Sequence, residues 1–137
     1  MKKITIIDGQ GGRMGKSIIE QLKKQLPEQE LLAIGTNSIA TAAMMKAGAD
    51  YGATGENPVI VAARDSDIII GPIGIVIADS LFGEVTPAMA AAVGHSKAYQ
   101  ILMPVNRCNH HVVGCENLSM NEIIPLVVGH VMEYLEE

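Results

Sequence analysis

The residues best equipped for chemistry lie near the amino terminus, in Asp8-Gly9-Gln10-Gly11-Gly12-Arg13-Met14-Gly15. Glycines at such a turn let the chain bend sharply, admit a diphosphate to the backbone and let the following helix pack close to its sheet. Free backbone N–H groups and the positive end of a helix then make the turn an anion site. The spacing is Gly-x-x-Gly-x-x-Gly over Gly9, Gly12 and Gly15, with Gly11 extra and Met14 where the commoner Gly-x-Gly-x-x-Gly would differ. A tight strand-to-helix connection that binds nothing is the competing reading. The phosphate loop of nucleotide hydrolases is a second rival, since Gly15-Lys16-Ser17 matches its ending and Ile75-Val76-Ile77-Ala78-Asp79 mimics its metal-binding strand. Its spacing requires glycine at position 10, which is Gln10, so that reading is disfavoured.

Dinucleotide folds that prefer NAD place an acid at the end of the second strand, about 20 residues past the turn. Here that strand ends in Gly35-Thr36-Asn37-Ser38. Thr36, Asn37 and Ser38 are neutral donors that tolerate a 2′-phosphate, and Arg13 is a candidate counter-charge, so the expected cofactor is NADP over NAD. Equally, Asn37 and Ser38 serve as helix caps. Two further strand ends are candidates for the cleft: Gly71-Pro72-Ile73-Gly74, where Gly71, Pro72 and Gly74 allow close backbone approach, and Met103-Pro104-Val105-Asn106-Arg107. Arg107 offers a planar fork to phosphate or carboxylate, and as a solvated surface residue it would offer nothing.

Cys108, His110, His111 and Cys115 bring four metal-capable side chains together but match no standard spacing, and adjacent histidines on a strand point to opposite faces. No metal is expected. Asp8 and Asp79 are the acids near the expected cleft, each without an identifiable partner, and no acid–base pair or triad can be assembled.

These residues need elements to position them. Ile4-Thr5-Ile6-Ile7 reads as a strand, and Ile18, Ile19, Leu22 and Leu26 fall at helical spacing from Lys16 onward, with Pro27 stopping the helix. Residues 30 to 35 form a second strand and complete a βαβ unit. A helix capped by Asn37 or Ser38 runs to about Ala47, and residues 52 to 55 make a loop with at most a vestigial third strand. Asn57-Pro58 starts the next helix, followed by a strand from Asp67 to Gly71. Residues 72 to 85 are open between strand and loop. Thr86-Pro87 opens a helix to about His95, Tyr99 to Met103 and His110 to Val113 read as strands, and a helix from Met120 to about Leu135 closes the chain. The expectation is one Rossmann-like domain over residues 1–137: α/β, doubly wound, with a mainly parallel sheet of five or six strands.

Composition fits this. Hydrophobic residues make up 48% of the chain but aromatics only 3%, so the core draws on Ile, Val, Leu, Ala and Met, side chains suited to a buried parallel sheet. A net charge of −5 argues against a nucleic-acid footprint. No apolar run reaches the ~18 residues of a membrane span. Met1-Lys2-Lys3-Ile4 leads into a strand in place of a signal sequence, so a cytoplasmic location and reduced thiols are expected. The last helix carries Ile123, Ile124, Val127, Val128, Val131, Met132 and Leu135, an arc wide enough to suggest a homodimer contact as well as deep docking within one chain.

From Ile4 to Leu22 the sequence resembles the start of dihydrodipicolinate reductases, whose nucleotide loop carries a similar Gly-Gly-Arg-Met-Gly. The resemblance implies a dinucleotide contact by Gly9 to Gly15, with Arg13 beside the phosphate or adenine end. That family's reaction is not expected here, because its second, substrate-binding domain has no room in this sequence. With the Gly71-Pro72 turn and the Pro104-Val105-Asn106-Arg107-Cys108 segment included, the whole chain resembles a small bacterial family of unknown function. That likeness implies a Rossmann-like fold and no reaction. The expected function is binding of a nucleotide or dinucleotide, as a redox-linked enzyme or a ligand sensor. A non-catalytic regulatory or interaction protein that keeps the fold and homo-oligomerises is the alternative.

Overall fold

In the computed structural model, residues 1–104 and 110–137 are described. The strands are β1 (Ile4–Asp8), β2 (Leu31–Gly35), β3 (Tyr51–Thr54), β4 (Ile68–Pro72) and β5 (Tyr99–Met103). They form one parallel sheet in the order β3-β2-β1-β4-β5. The helices are α1 (Arg13–Gln25), α2 (Ser38–Lys46), α3 (Glu56–Asp65), α4 (Pro87–His95) and α5 (Met120–Glu136).

Side chains alternate across each strand, and this sorts the core into two layers. Ile4 and Ile6 of β1 and Ile68 and Ile70 of β4 face α1, α2 and α5, against Ile18, Leu22, Met44 and Val127. Ile7, Ile34 and Ile69 face the other way, against Val59 of α3 and Met89 and Val93 of α4. β1 and β4 are buried along their whole length, so their sequences are continuous apolar runs with little polar alternation. Thr5 is the polar residue inside β1, and its hydroxyl is paired with that of Ser66 at 2.7 Å. Chain order reverses between β1 and β4, so their carboxyl ends diverge into a crevice, where open α/β sheets bind ligands.

Several expectations need correction. Among the described residues the sheet has five strands, the lower of the two expected numbers. His110–Val113 is not a strand: the segment is irregular chain running into a turn, and Val113 is 85% exposed. The third strand is real although it is barely buried, because β3 is an edge strand held by backbone pairing with β2. α1 starts at Arg13, earlier than Lys16, which puts Arg13, Met14 and Gly15 in its first turn. α3 starts at Glu56 with Gly55 as its cap, so Asn57 and Pro58 lie inside its first turn, where proline's missing N–H costs no helical bond. Of residues 72–85, open between strand and loop in the sequence, Pro72 ends β4 and the rest form a short 3-10 turn over Ile73–Val76 and then a chain of turns. In α5, Ile123, Ile124, Val127, Val128 and Val131 are all buried in the chain's own core, so docking accounts for the width of its apolar arc. Among the described residues no helix is long and apolar enough to cross a membrane.

Candidate functional site

The site is built on the turn from β1 to α1. Gly12 takes the left-handed conformation, φ 73°, that lets the chain reverse into α1, and its N–H bonds Gly9 O at 2.9 Å. A Cβ there would lie 2.9 Å from the Ala40 backbone, so glycine also lets α1 sit close to α2. Gly11 differs: a Cβ would meet nothing within 4 Å, and Gly11 lies on the open side of the turn, toward solvent.

Two carboxylates hold the turn. Asp8, 5% exposed at the end of β1, accepts the Gly9 N–H on Oδ1 and the Gly15 N–H on Oδ2, both at 2.8 Å. Burial pushes its carboxyl above the usual aspartate range, Gly15, Gly9 and Met14 N–H groups pull it back in part, and the charge of Glu84 adds to the rise. Glu84 arrives from the turns before α4. Its Oε1 accepts the Gln10 N–H at 2.9 Å, the Thr36 hydroxyl at 2.6 Å and the Asn37 amide at 2.9 Å. Burial raises this carboxyl too, but the bonds from Thr36, Gln10 and Asn37 outweigh it and leave Glu84 below its ordinary range. Asn37 also donates to Gln10 O and caps α2 through the Ala40 N–H. The turns that carry Glu84 hold Asp79, Leu81 and Phe82 at positive φ, a conformation costly for such residues.

With Gly9, Gln10, Gly12, Met14 and Gly15 engaged, the N–H groups of Gly11 and Arg13 are the ones left open in the turn among the described residues. They open on a cleft of about 680 Å³, within the range of small-molecule sites, lined by the turn from Asp8 to Met14 together with Pro72, Leu81, Pro104, Cys115, Glu116 and Met120.

Of the residues expected at the site, the structure brings Gly9, Gln10, Gly11, Gly12, Arg13, Met14 and Pro72 to this one cleft. Gly15 is buried behind it, where a side chain would strike Met44 and Asp8. Thr36 and Asn37 do not line the cleft but are tied to the turn through Glu84, and Ser38 is the exposed first residue of α2. Gly71 serves sheet packing, since a Cβ would strike Ile7 O, and Gly74 packs on Ser80. Arg107 and Cys108 lie outside the described residues. His111 bonds Glu116 at 2.9 Å, and among the described residues no group of three His, Cys, Asp or Glu is placed to hold a metal. Sequence reasoning missed Glu84, which lies 74 residues from Gln10 and 48 from Thr36 along the chain, with no local motif to mark it. It also left Asp8 without partners, because those partners are backbone groups.

A parallel sheet with the order β3-β2-β1-β4-β5, a glycine turn after β1 and a cleft at the β1/β4 switch define a Rossmann-like α/β protein. The family profile described as Domain of unknown function (DUF3842) matches residues 3–136, and the chain belongs to that family. Comparison with curated proteins gave no match. Among solved structures, the chain is similar to a dodecameric FMN-dependent Ubix-like decarboxylase from Escherichia coli O157:H7. The TM-score is 0.54 at 15% identity, over 98% of this chain and 95% of the other, a likeness of fold.

Proposed function

We propose that this protein binds a nucleotide cofactor at the β1–α1 turn, with a phosphate on the open N–H groups of Gly11 and Arg13. Those two open donors carry the reading. They stand at the positive end of a 13-residue helix, beside a cleft of fitting size, with the exposed Arg13 side chain on its rim. Nicotinamide dinucleotides fit the turn's resemblance to a reductase loop. The sequence favoured NADP for lack of an acid near Thr36, and Glu84 removes that reason by supplying one. FMN joins the candidates because the decarboxylase of similar fold is FMN-dependent. The cleft offers Asp8, Arg13, Cys115 and Glu116 but no assembled acid–base pair. The role proposed is therefore a ligand sensor, or a redox-linked protein whose substrate pocket another chain completes.

A different observation favours the non-catalytic reading. Asp8 and Glu84 already occupy the N–H groups of Gly9, Gln10 and Gly15, which a diphosphate would otherwise use. Thermal-shift measurements with NAD, NADP, FMN, ATP and S-adenosylmethionine separate the two. One ligand should raise the melting temperature by several degrees, since binding only the native state stabilises it. Arg13→Ala should weaken that shift while leaving the unliganded melting temperature unchanged, because Arg13 is exposed. No shift with any of them sinks cofactor binding in favour of a regulatory or interaction protein.

A further inference from the structure

We infer that Glu84 sets the ligand's ribose chemistry: its carboxylate receives an unphosphorylated ribose and rejects a 2′-phosphate, so the site prefers NAD over NADP. This rests on the dinucleotide form of the reading above. In Rossmann folds the adenosine ribose lies at the carboxyl end of the second strand, where an acid borne by that strand accepts its 2′-hydroxyl. Here β2 ends at Gly35, and the next side chains, Thr36 and Asn37, are neutral. The acid comes instead from the opposite half of the sheet. Glu84, in the turns between β4 and α4, reaches across so that its Oε1 bonds Thr36 and Asn37 and also Gln10 of the glycine turn. One carboxylate thereby spans the ribose end and the phosphate turn.

Two features make it more than a brace. Its Oε1 takes all three hydrogen bonds, while Oε2 has no partner among the described residues and is free to accept a hydroxyl. Gly9 leaves room for this approach, since a Cβ there would lie 2.5 Å from Thr36 Oγ1 and 2.8 Å from Glu84 Oε1. Arg13, the candidate counter-charge for a 2′-phosphate, lines the cleft, whereas Glu84, Thr36 and Asn37 stand together beyond its edge, joined to it through Gln10. A 2′-phosphate would therefore meet a fixed carboxylate, and like charges at such distance repel.

Titration calorimetry of the full chain with NAD and with NADP tests this directly. The expected result is NAD binding at least tenfold tighter. Glu84→Gln keeps an oxygen to accept the same donors while removing the charge, and should narrow the ratio to within threefold. Ser38→Arg, at an exposed position beside Asn37, adds a cation without disturbing the turn and should narrow it as well. Wild-type protein that binds NADP as tightly as NAD overturns the inference while leaving cofactor binding standing. So does a ratio unmoved by both variants. Binding of neither dinucleotide, with FMN or another nucleotide bound, overturns the inference alone, and binding of no nucleotide overturns both.

Discussion

At the residue scale the glycine turn is two kinds of position side by side. Gly12 is demanded by the chain itself, through its positive φ and the backbone of Ala40 2.9 Å from where a Cβ would stand. Gly12→Ala should therefore cost about 2–5 kcal/mol in urea denaturation, the sum of a left-handed non-glycine residue and overpacking. Gly11 has no such reason to be glycine. Gly11→Ala should change stability by no more than about 0.5 kcal/mol, and if the cofactor reading holds it should lower ligand affinity, because the new methyl stands on the ligand's side of the turn. Asp8 carries a pH signature. Its carboxyl is raised in the folded state by burial, so the native protein binds more protons than the unfolded chain as pH climbs from the ordinary aspartate range to the raised value. Across that window this group's contribution to stability falls with rising pH. The stability of wild type minus that of Asp8→Asn, followed by urea denaturation from acid to neutral pH, should decline accordingly. A difference that grows with pH would contradict the assignment.

At the scale of elements, the caps and breaks explain where the helices sit. Asn37 starts α2 with its side chain on the Ala40 N–H, and Thr86 starts α4 through the Met89 N–H, with proline at the first helical position. At the start of α5 the Glu122 carboxylate reaches back to accept the N–H and the hydroxyl of Ser119. That helix contains Pro125, which lacks the N–H to bond Asn121 O and crowds that carbonyl. Pro125 is exposed, so its removal disturbs no core packing. Pro125→Ala should stabilise the protein by about 1–3 kcal/mol, read as a higher urea midpoint at unchanged slope. An unchanged midpoint would mean that α5 bends at Pro125 to fit the sheet and that straightening it gives back the gain.

At the scale of the whole molecule, the order β3-β2-β1-β4-β5 puts the glycine turn, Leu81 of the turns before α4, and Pro104, Cys115 and Glu116 around one crevice. The same closure leaves little of α5 for a partner. Its apolar arc is spent on the core, and Leu126, 54% exposed on the outer face, is the apolar residue of that helix left for contact beside Met120 at its start. If copies associate through α5, Leu126→Glu should lower the mass found by light scattering to that of one chain. A multimer that survives the change places the contact elsewhere, and a wild-type monomer removes homo-oligomerisation from the regulatory reading.

The sequence by itself determined the alternation of strands and helices, the glycine turn and the parallel sheet, because each is written in local signals: apolar runs for β1 and β4, helical spacing from Ile18 to Leu22, a cap at Thr86-Pro87. It wrongly implied a strand at His110–Val113, since a short run with two valines carries the local signal of a strand whether or not the fold gives it a place in the sheet. The partners of the turn were equally out of reach. Asp8 turns its carboxylate back onto the N–H groups of Gly9 and Gly15, and Glu84 crosses from the other half of the sheet to Gln10, Thr36 and Asn37. Only tertiary structure decided that the turn carries two acids, because hydrogen bonds between residues 48 and 74 positions apart depend on how the β1/β4 switch brings distant loops together.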